Sequence, residues 1–186
     1  MADEHKVADP GPLGLAAFAT TTFALSSANA HLWGEAGATA AVSLALFYGG
    51  LTQLFAGMWE FVRKNTFGAL AFSSYGAFWL AVYAFINFQK GSGSSLGVFL
   101  LCWTIFTAYM LIATFRLNNA LIAIFVFLLA TFIFLTIGNW GAGHVGMVKI
   151  GGWLGIITAL IAWYTSAAGV INDTYKKVVL PVGPRG

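Results

Sequence analysis

The run Phe47–Trp79, FYGGLTQLFAGMWEFVRKNTFGALAFSSYGAFW, decides the fold of this chain. Two apolar segments meet in it across a short polar turn at 63–66, RKNT. On the first segment, small and polar residues recur every three or four positions. They are Gly49, Gly50, Gln53, Ala56, Gly57 and Glu60. This spacing places them on one face of a helix, and such a face meets protein or water rather than lipid.

The composition indicates a membrane protein. Of the 186 residues, 59% are hydrophobic and only 8% are charged, and the mean hydropathy is +0.82. A soluble domain carries roughly 25% charged residues, so this chain cannot build a water-exposed surface. The excess of bases over acids, nine against six, is small. We therefore predict an all-α, multi-pass protein in the lipid bilayer of a cell membrane (plasma or inner), with no nucleic-acid partner.

Six apolar stretches have about the 20-residue length of a helix that crosses a bilayer. The predicted spans are about 12–31, 39–61, 67–88, 96–115, 117–138 and 151–172. We predict one six-helix transmembrane domain over 12–172, between tails at 1–11 and 173–186. The second tail is rich in Pro and Gly near its end and should not be helical there.

The Lys and Arg residues predict the orientation, because cytoplasmic loops carry an excess of them. With six spans, one side of the membrane receives Lys6, Arg63, Lys64, Arg116, Lys176, Lys177 and Arg185. The other side receives Lys90 and Lys149. Seven against two predicts that both termini are cytoplasmic.

Glu60 is the only acid inside an apolar segment. A carboxylate within the membrane is costly and is by default a functional candidate. Glu60 also lies one turn from the polar turn, so it could reach the interface or pair with Arg63 or Lys64. A structural role and a gating or proton-handling role therefore both remain open.

The sequence offers neither a catalytic set nor a metal site. It contains no HExxH motif, no GxSxG motif and no pair of acids that could share a helix face. His31 and His144 have no neighbours that would complete a metal site. The lone Cys102 lies in an apolar run, where we expect a small buried packing residue. We predict that the protein is not an enzyme and holds no metal or cofactor.

What remains is a pore or pocket of hydroxyls, amides and aromatic rings. The residues that fit it best are Phe18, Thr21, Gln53, Tyr75 and Asn139. A lining without a cation cannot hold a bare divalent anion well. It could pass a short carboxylic acid, either neutral or stabilised by hydroxyl and helix-end donors. The alternative is that the aromatic residues only pack or form an interfacial belt.

Several blocks, in order, resemble a known family. Residues 9–15, DPGPLGL, are similar to its signature Asn-Pro-Ala-Pro-Leu-Gly-Leu, with Asp9, Pro10, Pro12 and Gly14 at matching positions. The matching blocks that follow are FYGG at 47–50, Gln53, AG at 56–57, Glu60, NTFG at 65–68, SYGAFW at 74–79, GN at 138–139, GW at 152–153 and LP at 180–181. The chain thus resembles the acetate uptake transporter family, the succinate–acetate permeases of the GPR1/FUN34/YaaH group.

The resemblance implies six-helix protomers in a homo-hexameric ring, each with its own pathway for acetate and related short carboxylates such as succinate. It implies a hydrophobic constriction at Phe18, Tyr75 and Leu128, with Thr21 and Gln53 as polar lining near the bound carboxylate. The predicted substrate-binding residues are Thr21, Gln53 and Asn139. We expect the hydroxyls of Tyr75 and Thr21 to replace part of the substrate's hydration. Proton symport and channel-like passage both remain open.

Two residues depart from the signature, since Asp9 replaces Asn and Gly11 replaces Ala. Asp9 can still cap a helix that begins at Pro12 by accepting N–H bonds, but it adds a negative charge at the cytoplasmic mouth.

Two other functions are left open. One is a non-transporting membrane sensor or assembly protein, with the glycine face as a protomer contact. The other is a channel for another small solute, such as ammonia or water.

Overall fold

A computed structural model describes residues 7–88 and 94–185. These described residues form six helices. Their bounds are α1 Gly11–Asn29, α2 Gly34–Val62, α3 Thr66–Phe88, α4 Ser95–Thr114, α5 Asn119–Gly138 and α6 Val145–Tyr175. Apart from one isolated bridge, these residues form no β-structure, so the all-α prediction is confirmed. Lys6 and Lys90, which entered the orientation argument, lie outside the described residues.

Five of these helices, α2 to α6, are long and apolar enough to cross a membrane. The first helix has 19 residues and carries a run of hydroxyls. It lies inside the bundle, where Ala17, Ala19, Thr21 and Ser27 are completely buried. Its buried face meets protein rather than lipid, so this face does not need to be uniformly apolar. The sixth span therefore remains a prediction.

The last helix begins at Val145, six residues before the predicted start near residue 151, and Gly151 and Gly152 lie inside it as helix-packing residues. A Cβ atom on Gly151 would lie 2.8 Å from the Leu135 side chain, and one on Gly152 would lie 2.5 Å from the Ala30 backbone nitrogen. These glycines let α6 approach α5 and α1 closely. The second helix likewise starts early, at Gly34 rather than near residue 39.

The second helix contains a π-helical turn over Phe47–Thr52. The Thr52 hydroxyl donates to the Phe47 carbonyl at 2.9 Å, five residues back. The small-and-polar face found in the sequence is buried along its whole length, which confirms that it meets protein. The spacing of the small and polar residues in the sequence does not reveal the π-helical turn, a feature often found at functional sites.

Residues 176–185, which follow α6, are not helical and fold back against the bundle. Asn172 Oδ1 accepts the backbone N–H groups of Val179 and Leu180 at 2.7 and 2.9 Å. Further on, the Gly183 carbonyl accepts the N–H of Asn119, the first residue of α5, at 2.9 Å.

Cys102 is exposed on the outer surface of α4, so the expectation of a buried packing residue is wrong. The apolar run around it reflects a surface suited to lipid, which sequence hydrophobicity does not distinguish from a core.

Candidate functional site

A cavity of about 320 Å³ runs into the bundle between α1, α2, α3 and α5. Its outer end is polar and its inner end is apolar and buried. The outer residues are Asp9, Glu60, Arg63, Asn65 and Asn118. The inner residues are Phe18, Gln53, Tyr75, Phe125 and Leu128. The predicted constriction residues and Gln53 therefore meet at one place in the fold.

Phe18, Tyr75 and Leu128 close the inner end of the cavity, and we call these three residues the neck. All three are nearly buried, with exposed fractions of 3–5%. The ring centroids of Phe18 and Tyr75 are 5.7 Å apart, and Tyr75 makes an edge contact with Phe106 at 5.3 Å. This packing fixes the neck in an aromatic surround.

A second cavity, of about 130 Å³, lies on the far side of the neck. Phe78 lines it one helical turn after Tyr75, and Leu135 lines it two turns after Leu128. Asn139, which we predicted to bind substrate, lies in this second cavity, and its Nδ2 donates to the Leu135 carbonyl at 2.8 Å. Residues of α1, α3 and α5 line both cavities, with the neck between them.

Gln53 projects from α2 into the first cavity and is 1% exposed. Its Oε1 has no hydrogen-bond partner among the described residues. A buried polar atom left unpaired costs roughly 1–3 kcal/mol. Gln53 is therefore the polar side chain of the inner cavity with capacity to bind a solute.

Thr21 and Tyr75 have hydroxyls that are already bonded to protein. Tyr75 Oη lies 2.8 Å from Thr107 Oγ1. The Thr21 hydroxyl donates to the Ala17 carbonyl at 2.9 Å, and Thr21 packs against Gly49 without lining either cavity. Because both hydroxyls already have protein partners, they have less capacity to replace the hydration of the substrate than the sequence predicts.

Glu60 is buried at the outer end and has two polar neighbours. Asn65 Nδ2 donates to Glu60 Oε2 at 2.9 Å, and an Arg63 guanidinium nitrogen is 4.0 Å from the same oxygen. Asn65 also caps α3, because its Oδ1 accepts the Gly68 N–H at 3.2 Å. A Cβ atom on Gly68 would come within 2.8 Å of the Glu60 carboxyl carbon, which explains a glycine at this position.

Asp9 forms an ion pair with Arg63 and accepts the Gly11 N–H at 2.9 Å. The acid therefore reaches both the first turn of α1 and the end of α2. With Glu60, it gives Arg63 two carboxylate neighbours at the mouth of the cavity.

The other signature residues position α1. Pro10 is buried, and its carbonyl accepts the Gly14 N–H at 3.0 Å. Gly14 lies against Phe72, whose ring would be 2.6 Å from an added Cβ atom. The Ser166 hydroxyl donates to the Pro12 carbonyl at 2.6 Å, which ties α1 to α6.

Sequence reasoning missed Thr107 and Phe125. Thr107 is completely buried and bonds Tyr75; Phe125 packs 6.2 Å from the same ring. The available signal was a pair of threonines, Thr104 and Thr107, on a very apolar helix. It could not identify the partner, because Tyr75 is 32 residues away on another helix.

The chain is similar over nearly its full length to known membrane proteins. The model of the GPR1/FUN34/yaaH family matches residues 1–184. The "Succinate-acetate/proton symporter SatP" of Escherichia coli (strain K12) is 37% identical over 184 residues, which cover 96% of each chain. The "Ammonia transport outward protein 2" of Saccharomyces cerevisiae is 43% identical over 177 residues, which cover 89% of this chain but 62% of that protein. The chain thus spans less than two thirds of this yeast relative.

A solved structure also matches the fold. The bacterial acetate channel SatP superposes with a TM-score of 0.89 at 36% sequence identity, and the match covers 96% of this chain and 100% of that one.

Proposed function

Since the chain belongs to the GPR1/FUN34/yaaH family, a family of transporters and channels rather than enzymes, we propose that it moves acetate and related short-chain carboxylates across a membrane. The observation that carries the proposal is the pair of cavities on either side of one buried neck. Both cavities are formed by a single chain, which supports a separate pathway in each protomer.

The neck selects by size and by desolvation. Two aromatic rings and the Leu128 side chain make the neck apolar, and an ion that gives up its water there is strongly disfavoured. A two-carbon acid presents one methyl group and one carboxyl group, so it needs little width and few polar partners. Gln53 supplies polar contact beside the neck, and Asn139 does so in the second cavity.

The six-span topology, cytoplasmic termini and hexameric ring belong to the same proposal. Five apolar helices support the topology, and the seven-to-two distribution of Lys and Arg supports the orientation. The Asp9–Arg63 pair joins the start of α1 to the end of α2 at one end of the bundle. The hexamer is supported by the family resemblance and is tested by the mass of the detergent-solubilised particle.

Uptake of labelled acetate into liposomes containing the purified protein tests the proposal. We expect uptake well above that of protein-free liposomes, which measure the acid that crosses the lipid unaided. Uptake equal to the protein-free rate would instead indicate the sensor or assembly alternative.

Ammonia transport is a second candidate, because the yeast relative is named an ammonia transport protein. Labelled methylammonium, measured in the same liposomes, separates the two solutes. We expect acetate uptake to exceed the protein-free rate and methylammonium uptake to match it. The reverse result would assign the pathway to ammonia.

A further inference from the structure

Residues 178–185, which we call the strap, cross from the end of α6 to the start of α5. In addition to the contacts with Asn172 described above, the strap receives a hydrogen bond from a second residue of α6, because Tyr164 Oη donates to the Pro181 carbonyl at 2.8 Å. At its other end, the Arg185 N–H donates to the carbonyl of residue 117, just before α5, at 2.9 Å. The strap is therefore bonded to both helices rather than to one.

The first N–H groups of α5 find their partners in the strap. A helix has no internal acceptors for its first four N–H groups. Here the Asn119 N–H donates to the Gly183 carbonyl at 2.9 Å, and the Ala120 N–H donates to the Val182 carbonyl at 3.1 Å. The backbone of the strap thus holds the N-terminus of α5, so the position of this helix end depends on where the strap lies.

Two residues of the strap fix its register against α5. Arg185 Nε donates to Asn119 Oδ1 at 2.6 Å. Gly183 has a φ of +65°, a conformation that residues with a side chain rarely adopt. A Cβ atom added to Gly183 would also lie 2.5 Å from Asn119 Nδ2. The close approach of the strap to α5 therefore requires glycine at this position.

The helix that the strap holds forms a wall of both cavities. Asn118 lines the outer end of the first cavity, Leu128 belongs to the neck, and Leu135 lines the second cavity. At 1.5 Å per residue, about 15 Å of one helix separates Asn118 from Leu128. Packed helices shift as units, so a displacement of the N-terminus of α5 moves the Leu128 side chain relative to the two aromatic rings of the neck.

We propose that the strap determines specificity, because it sets the position of α5 and thereby the width of the neck. Gly183 and Arg185 are positioning residues, since neither lines either of the two cavities. Release of the strap leaves the first turn of α5 without two of its hydrogen-bond partners. The helix can then shift, and the neck excludes longer acids less sharply. This inference rests on the proposed transport function and assigns part of its substrate selection.

Gly183→Ala tests the strap without changing a residue of the pathway. The positive φ strains the added methyl group, which also meets Asn119, so we expect the strap to separate from α5. Hydrogen–deuterium exchange read by mass spectrometry reports this separation as faster exchange at 119 and 120. We then expect lactate to compete with labelled acetate at about fivefold lower concentration than in the wild type, which corresponds to about 1 kcal/mol.

The competition profile separates specificity from stability. A variant that only folds less well takes up less of every acid in the same proportion, so its profile stays that of the wild type. Gly141→Ala is the matched control, because Gly141 also has a positive φ, +62°, but no atom within 4 Å of an added Cβ. We expect it to keep the wild-type profile. A wild-type profile in Gly183→Ala, with faster exchange at 119 and 120, would overturn the inference.

The effect of the strap should act through Leu128. In Leu128→Ala the side chain that the strap positions is absent, so we expect Gly183→Ala to change the lactate competition by less than about twofold in that background, because residues that act through one another are not additive. An equally large effect in both backgrounds would show that the strap does not act on the neck, and would overturn the inference.

A chain that ends at Lys177 lacks the strap and provides the same comparison if Gly183→Ala leaves the strap in place. We expect this chain to fold and to lose selectivity against lactate to the same extent. Failure of this chain to fold would make the strap a folding element and would overturn the inference. Wild-type acetate uptake equal to the protein-free rate would instead overturn the proposed transport function.

Discussion

Arg63 pairs with Asp9 at the mouth of the cavity and thereby joins the end of α2 to the residues that precede α1. The Asp9 carboxylate is therefore paired with Arg63, which is the one cation among the described residues that line the first cavity. An arriving acetate ion must compete with Asp9 for it.

The first prediction concerns Asp9→Asn. Asparagine can still accept the Gly11 N–H, but it no longer neutralises Arg63, so the mouth becomes more attractive to anions. Exposed pairs are worth about 0.2–1 kcal/mol, and we expect the apparent KM for acetate to fall by about 1.4-fold to fivefold. The measurement is initial uptake against acetate concentration at low salt, with Asp173→Asn as the control because Asp173 pairs with Lys176 instead. An unchanged or higher KM would contradict a capture role for Arg63.

The second prediction is that Leu128→Ala widens the neck and admits larger acids such as lactate and succinate. Leu128 is 3% exposed and is the aliphatic member of the neck. We expect unlabelled lactate to inhibit labelled-acetate uptake more strongly in the variant than in the wild type. The control is Ile133→Ala, on the exposed side of the same helix. Identical competition profiles would show that Leu128 does not limit the passage.

Leu128→Ala should also lower the free energy of unfolding, and this effect must be separated from the effect on transport. Truncation of a buried leucine costs roughly 2–5 kcal/mol. Uptake is therefore normalised to the amount of folded protein, which is measured by size-exclusion chromatography in detergent.

The third prediction compares two glycines. A Cβ atom on Gly57 would lie 2.4 Å from the Ser73 backbone nitrogen, which cannot move aside without shifting α3. Gly57→Ala should destabilise the protein by about 1–3 kcal/mol. Gly146 has no atom within 4 Å of an added Cβ, so Gly146→Ala should be neutral or stabilising by up to about 1 kcal/mol. Thermal unfolding followed by tryptophan fluorescence provides the comparison, and equal Tm values would contradict the close α2–α3 contact.

The glycine pairs show how far the sequence could lead. The recurrence of small residues before the 63–66 turn predicted a buried face, and the face is buried. The same residue type at 151–152 begins a predicted span, but glycine spacing alone does not show which neighbouring residues it packs against. Leu135 and the backbone at Ala30 provide those contacts, and they are distant in sequence.

The candidate functional site shows the same limit on what the sequence alone can predict. Amide and aromatic residues inside apolar spans could be selected as candidates, because burial makes their polar atoms costly. Their partners could not be selected, since Thr107 reaches Tyr75 from another helix. The direction of the hydrogen bond between Tyr75 and Thr107 depends on a second contact, between the Thr107 hydroxyl and the Trp103 carbonyl, that only the fold defines.

The last prediction concerns the segment after α6, which Asn172 holds through both atoms of its amide. Its Oδ1 accepts the N–H groups of Val179 and Leu180, and its Nδ2 donates to the Leu180 carbonyl at 2.8 Å. Each such bond contributes about 0.5–1.5 kcal/mol, so Asn172→Ala should raise the amide exchange rate at 179 and 180 by about tenfold. Hydrogen–deuterium exchange read by mass spectrometry measures this change. Asn87→Ala is the control, because Asn87 bonds only the Tyr83 carbonyl of its own helix among the contacts described and should leave the exchange at 179 and 180 unchanged. Unaltered protection in Asn172→Ala would mean that the contacts with α5 at Asn119 hold the segment without Asn172.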